Sequence, residues 1–319
     1  MASTRRYYDD GYTRSFEGRI VASGEHAGRP AVELEETWFY PESGGQLGDH
    51  GTIGGASVLD VQAADDGRVW HVVDAAPSAP ADGAAPCAID WTRRFDHMQQ
   101  HTGQHVLSAA LERECGWATL SSTLGAERSV IEISTAEVDW RTIERVERAA
   151  NRLLWEDREI RLHWTDAASV GRFALRKPPQ VDGPIRIVEI PDWDLSACGG
   201  THTRRTGEVG VVKVTGWEKV RGNVRLGSCA ANARSPITCG APRRSSRARR
   251  SARSRTATCS RISTARWKSA TSWRSSCANC VRSASPRMPA PAWAIRPRRW
   301  RSSRSRVRAR RRARSRSRA

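Results

Sequence analysis

The sequence predicts an α+β protein in three stretches: a small N-terminal β-barrel, a mixed helix-and-strand domain, and an arginine-rich tail. Three observations carry this. Residues 16–90 read as short strands between glycine-rich breakers, residues 91–228 alternate helical and extended periodicity, and after Ser228 both periodicities stop. Domain limits of 1–90, 91–228 and 229–319 follow.

In the first stretch the strand candidates are Phe16–Ser23, Ala31–Phe39, Gly51–Val61 and Arg68–Val73. Gly-Glu-His-Ala-Gly, Pro-Glu-Ser-Gly-Gly and Asp-Asp-Gly separate them, a spacing that suits a small barrel. Residues 74–86, rich in Pro and Ala without periodicity, read as a linker.

Beyond it, Asp96 followed by Gln99 resembles a capping box, and Met98, Val106, Leu107, Ala110 and Leu111 form a helical stripe, so a helix is placed at 96–113. A second helix over 139–157 takes Asp139 as its cap and Ile143, Val146, Ala150, Leu153 and Leu154 as its buried face. Strands are expected at Val130–Ile133, Glu159–Trp164, Ile185–Ile190, Val209–Thr215 and Glu218–Leu226, with the helices laid against one sheet.

The formal charge of +19 conceals two unlike parts. Residues 1–228 hold 26 Lys and Arg against 34 Asp and Glu, whereas residues 229–319 hold 27 Lys and Arg and no acid. With no hydrophobic period the tail has nothing to bury against the entropy of ordering, and is expected to be disordered. Two readings compete for it. One is an arm that neutralises nucleic-acid phosphates; the other is a reading-frame slip in a GC-rich gene, which turns Asp and Glu codons into Thr, Arg, Ser or Ala and leaves a remnant of a C-terminal domain. Cys277 and Cys280 form a lone CxxC without the second pair a zinc site needs.

No apolar run reaches the ~18 residues of a membrane span and the N-terminus lacks a signal-peptide core, so a cytoplasmic protein without membrane contact is expected. Of eight cysteines only Cys87, Cys115 and Cys198 precede the tail, too few for a disulfide framework.

His101 and His105 stand four apart on the first helix, where side chains stack on one face and both imidazoles can converge on one ion. Taken alone, the signal is weak, because two histidines at this spacing are usually solvated or locally hydrogen-bonded. Almost a hundred residues later Cys198 and His202 repeat the spacing around Gly199 and Gly200. One thiolate and three imidazoles form the tetrahedral set that Zn²⁺ prefers. His97 extends the helical row, as a spare ligand or a donor to one. The residues between His101 and His105 are Thr, Gly and Gln, which excludes the His-Glu-x-x-His metalloproteases. A closed structural site would draw on short local pairs; ligands from a helix and a distant loop favour an ion that faces substrate.

"FYPESGGQLGDHGTI" (39–53), "HTGQHVLSAAL" (101–111) and "CGGTHTRRTGEVG" (198–210), in this order, resemble the editing domain of alanyl-tRNA synthetase and its free-standing AlaX-type relatives, the alanyl-tRNA editing hydrolases. The resemblance covers about residues 10–228. It implies a zinc-dependent aminoacyl-tRNA deacylase that releases serine or glycine from mischarged alanine tRNA. The implied metal ligands are His101, His105, Cys198 and His202; Gln46 of Gly44-Gly45-Gln46 is an implied active-site contact, and Ser43 stands where a third glycine is expected.

The N–H groups of Gly199, Gly200 and Thr201 are candidate oxyanion donors. The implied partner is the acceptor end of tRNA, with no stable protein partner inferable, and synthetase kinship adds nucleotide and ATP binding to the expectations. Arg204, Arg205, Lys213, Lys219, Arg221 and Arg225 are candidate acceptor-stem contacts, or else a solvated strand face. Rival readings are a zinc-stabilised tRNA-binding module without catalysis, and editing of threonine tRNA.

Overall fold

The computed structural model describes residues 2–79, 83–125, 128–179 and 183–231. The arginine-rich tail from 232 onward, with Cys277 and Cys280, lies outside the described residues, and so does the expectation that it is disordered.

The chain opens with β1 (Thr4–Arg5), which pairs in parallel with β4 (Glu36–Thr37). Between and after them run β2 (Ser15–His26), β3 (Arg29–Leu34), β5 (Gly51–Ile53), β6 (Ala56–Ala63), β7 (Val69–Val73) and β8 (Ala84–Ile89). These six close into a barrel in the order β2-β3-β7-β6-β5-β8. Closure leaves no unpaired edge, and Val32, Leu34, Phe39, Ile53, Val61 and Val69 fill the interior.

Three expectations change here. Gly51–Val61 is a hairpin rather than one strand, because Gly54 and Gly55, both at positive φ (+53° and +85°), turn the chain in two residues. The Ala31–Phe39 stretch breaks at Glu35, so its end pairs with the N-terminus instead. The supposed linker 74–86 runs into β8, which closes the barrel between β2 and β5. Its Ala and Pro have little strand propensity, and pairing on both sides overrides that.

Helix α1 (Trp91–Cys115) begins five residues before the expected start. Its cap is Asp90, whose carboxylate accepts the Arg93 N–H; Asp96 sits inside the helix and accepts from Gln100 instead. Gly116, at φ +69°, ends it in the left-handed conformation that glycine adopts without strain. The stripe from Met98 to Leu111 is buried as read.

The strands β9 (Thr119–Leu124) and β10 (Ser129–Ile133) follow, then α2 (Trp140–Trp155), capped by Asp139 on the Thr142 N–H. The chain continues through β11 (Arg161–Thr165), β12 (Ile185–Ile190), β13 (Asp194–Ala197), β14 (Val211–Val220) and β15 (Asn223–Ala231). The expected single sheet is in fact two: a four-stranded one, β14-β15-β10-β9, and a three-stranded one, β11-β12-β13. One apolar core joins Val106, Leu107, Ala110 and Leu111 of α1 to the Ile143–Leu154 face of α2 and to both sheets.

Two contacts fix α1 in place. Arg94 and Asp49 form an ion pair with neither side chain exposed, and Arg94 also donates to the carbonyls of Gly11 and Trp38, which locks the helix to the barrel. On the other flank an added Cβ at Gly103 would lie 2.6 Å from that of Ala230, so glycine lets α1 approach β15 closely. β15 stays paired through Ala231, three residues past the compositional break at Ser228, and Gln100 bonds both the N–H and the carbonyl of Ala230. No described helix is long and apolar enough to cross a membrane.

Candidate metal centre

Helix α1 presents His101 and His105 one turn apart, and the loop leaving β13 presents Cys198 and His202 opposite them. The four ligand atoms lie within 4.8 Å of one another. Cys198 Sγ is 3.4 Å from His101 Nε2 and 3.3 Å from His202 Nε2. A tetrahedral ion with bonds of ~2.0 Å to nitrogen and ~2.3 Å to sulfur requires N···S edges of about 3.5 Å.

Each imidazole is held by its far nitrogen. His101 Nδ1 donates to Gln46 Oε1 at 2.8 Å, His105 Nδ1 to Asp194 Oδ2 at 3.0 Å, and His202 Nδ1 lies 3.2 Å from Thr102 Oγ1. These partners leave the Nε2 atoms free to ligate, the arrangement by which proteins fix imidazole orientation at metal sites. Asp194 is itself bound by Arg176 Nε at 2.6 Å and by Ser196 Oγ.

Electrostatics agree with a ligating thiolate. Burial works against ionisation of Cys198, yet His101 and His202 beside it hold the thiol well below its ordinary range. Burial also pushes His202 down, to about 3, so it is neutral and able to ligate. For His105 burial is outweighed by the hydrogen bond to Asp194 and by Cys198, which together raise it to about 9 without a metal. The donor set, the free Nε2 atoms and the compact geometry fit zinc.

The cluster forms the floor of a cavity of about 660 Å³, within the usual range for small-ligand sites. His101, His105 and Cys198 face it, whereas His202 borders a smaller void on the far side. Arg5, Arg176, Lys177 and Arg186 line the cavity, and among the described residues no Asp or Glu does. Arg186 is buried, donates to the carbonyls of Cys198 and Gly200 at 2.9 Å each, and has no carboxylate partner among the described residues.

Several assignments are altered by the geometry. Gln46 is completely buried, and its amide is spent on His101 and Thr201: Oε1 also accepts the Thr201 N–H at 3.1 Å, and Nε2 donates to Thr201 Oγ1 at 2.9 Å. The amide thus orients His101 and Thr201. Of the three candidate oxyanion donors, Gly200 N–H points to Cys198 Sγ and Thr201 N–H to Gln46, which leaves only Gly199 N–H without a partner among the described residues.

Gly200 is required as glycine, since a Cβ there would lie 2.1 Å from His101 Cε1. His97 falls outside the cluster; it is buried at the barrel seam near Arg93, Arg94 and Asp49, where burial lowers it to about 4. Ser43 lines the cavity, and its carbonyl accepts the Tyr40 hydroxyl.

The basic strip is mostly neutralised. Arg204 pairs with Asp10, Arg205 with Asp157, Lys213 with Glu147, Lys219 with Glu137 and Arg225 with Glu132. Asp194, Arg176 and Arg186 were not singled out in the sequence.

Residues 185–226 match the family model described as the threonyl and alanyl tRNA synthetase second additional domain. The chain is 34% identical over 227 residues to the alanyl-tRNA editing protein AlaX-L of Pyrococcus horikoshii, covering 69% of this chain and 56% of that protein. It is 39% identical over 202 residues to the alanyl-tRNA editing protein Aarsd1 of Danio rerio, covering 60% of this chain and 47% of the other. Over the stretch it shares with them, the chain is similar to the AlaX-type alanyl-tRNA editing proteins. It is also 35% identical over 230 residues to the alanine–tRNA ligase of Pyrococcus abyssi, covering 68% of this chain and 24% of the ligase. The chain spans about half the length of the AlaX-type relatives.

Proposed function

We propose that the protein is a zinc-dependent hydrolase acting in trans on the ester of mischarged alanine tRNA, with serine or glycine as the amino acid released. One observation carries the reading: the four-residue His/Cys cluster floors a cavity whose wall, among the described residues, holds four cations and no carboxylate. Such a wall suits the polyanionic end of an RNA, which its named relatives also imply.

His101, His105, Cys198 and His202 would hold Zn²⁺, which when bound polarises a carbonyl oxygen or lowers the pKa of water. The chain's own residues do the remainder. Gly199 lines the cavity, its N–H has no partner among the described residues and would be the donor to an ester carbonyl that develops negative charge, and Arg186 braces the loop that carries it. Among the described residues no carboxylate lines the cavity to act as base, and the aminoacyl ester, already activated, would be attacked by water held in the site. Gln104, Thr119 and Ser121 supply polar groups for a small hydroxylated side chain, and a site built to bind a hydroxyl penalises its absence. The same reading places the protein in the cytoplasm. ATP binding has no place in it.

Incubation of the full chain with serylated alanine tRNA tests the proposal. Zinc-loaded protein should release serine well above spontaneous hydrolysis. Binding without turnover would instead establish the non-catalytic module, and preference for serylated threonine tRNA would move the activity to that substrate.

A further inference from the structure

The three-stranded sheet sets three unlike residues in one cross-strand row. Trp164 of β11 is the register partner of Arg186 of β12, and the Cys198 N–H bonds the Arg186 carbonyl at 3.0 Å just past the end of β13. Residues opposite one another on paired strands face the same side, so Trp164 and Arg186 share a face of the sheet. At the usual strand spacing the row spans about 10 Å from the thiol's strand to the tryptophan's. A nucleoside covers that distance.

Trp164 does not behave as a core residue. It is 49% exposed and belongs to neither apolar core; among the described residues its one aromatic neighbour is Tyr8, edge-on with ring centroids 5.6 Å apart. It nevertheless lines the same cavity as Cys198 and Gly199. Tyr8 bridges the two ends, since its hydroxyl lies 3.5 Å from where a Cβ on Gly199 would stand, and its ring lies under the Arg186 guanidinium at 5.7 Å.

Two cations, Arg5 and Lys177, line the same cavity. Lys177 donates to the Leu120 carbonyl, Arg5 has tyrosine hydroxyls beside it, and neither pairs with a carboxylate among the described residues. An exposed indole flanked by cations with no acidic partner is how proteins hold single-stranded nucleic acid, with the base stacked and the phosphates paired.

We infer that Trp164 is the stacking platform for the 3′-terminal base of the RNA, with Lys177 and Arg5 meeting the phosphates that precede it, so that the esterified ribose lies between the indole and the Cys198 loop. The inference rests on the proposed function for the identity of the RNA, and it adds the residues that seat its end. It also accounts for recognition of a polyanion without the paired strip at 204–225. The acceptor end, not the stem, supplies the contact.

The test is binding of the zinc-loaded full chain to uncharged alanine tRNA and to the same RNA trimmed of its terminal nucleotide. Wild type should bind the intact RNA about tenfold more tightly than the trimmed one. Trp164→Ala should abolish that difference at unchanged zinc content, and Trp164→Phe should keep most of it. Lys177→Gln should reduce the slope of log affinity against log salt by about 0.7 while preserving the preference for the intact end.

Equal binding of intact and trimmed RNA by wild type, or an unchanged preference in Trp164→Ala, would overturn the inference. Because the RNA is uncharged, these results are separable from the serine-release assay. Turnover with an unchanged preference in Trp164→Ala sinks the platform alone, whereas end-preference without turnover sinks the hydrolase reading alone.

Discussion

Gln46 and His101 are hydrogen-bonded, Oε1 to Nδ1 at 2.8 Å, across the seam between a barrel loop and helix α1. The same oxygen accepts the Thr201 N–H, so one buried amide holds both halves of the His/Cys cluster in register. Gln46→Ala should weaken zinc binding about 10- to 100-fold in a competition titration with a chelator. A variant that binds zinc normally but turns over slowly would show that Gln46 meets substrate after all.

The two loop glycines should separate cleanly. Gly200→Ala forces a methyl against the His101 ring at 2.1 Å and should lose stoichiometric zinc. Gly199→Ala meets nothing nearer than the Tyr8 hydroxyl at 3.5 Å and should retain it. Metal analysis of the two purified variants decides this, and equal zinc content in both would contradict it.

Much of this site was legible in the sequence because its chemistry depends on spacing. His101 with His105, and Cys198 with His202, each sit four residues apart, and residue type alone sets their ligand character. Gln46 was legible as important but not as to its role, since nothing in Gly-Gly-Gln shows which way a side chain points. Asp194 and Arg186 were illegible for a different reason: each acts through a partner far along the chain, and that juxtaposition exists only after β12 and β13 pair. In the fold, Ile185–Ile190 and the face of α2 could be read from periodicity. β8 could not, because Ala and Pro carry no strand signal of their own, and neither could the division into two sheets, which register decides.

His71 is fully buried in the barrel, its Nδ1 donating to the Val32 carbonyl at 3.1 Å while Nε2 accepts from Thr37 Oγ1 at 2.8 Å. Burial lowers it to about 4. Its folded pKa lies below the unfolded value near 6.5, so the unfolded chain binds more protons between these limits and stability falls as pH drops through that window. From pH 7 to pH 5 this residue should cost about 2 kcal/mol. Urea titrations at the two pH values should show that loss in wild type and a smaller one in His71→Gln; equal losses would refute the assignment.

Removing Arg94 leaves Asp49 as a buried, unpaired charge. Arg94→Met should destabilise the protein by about 3–5 kcal/mol. The double variant Arg94→Met/Asp49→Asn should recover part of this, because the uncompensated charge is gone while Tyr40 N–H keeps an acceptor. Chemical denaturation measures both, and an additive double variant would rule out coupling across the seam.

The central claim is that one ion is held by one sulfur and three imidazole nitrogens, and X-ray absorption at the zinc edge of the purified full chain tests it most directly. The account predicts one sulfur at ~2.3 Å and three nitrogens at ~2.0 Å, with the sulfur shell lost in Cys198→Ser. A protein that takes up no zinc, or whose zinc shows no sulfur neighbour, would contradict it.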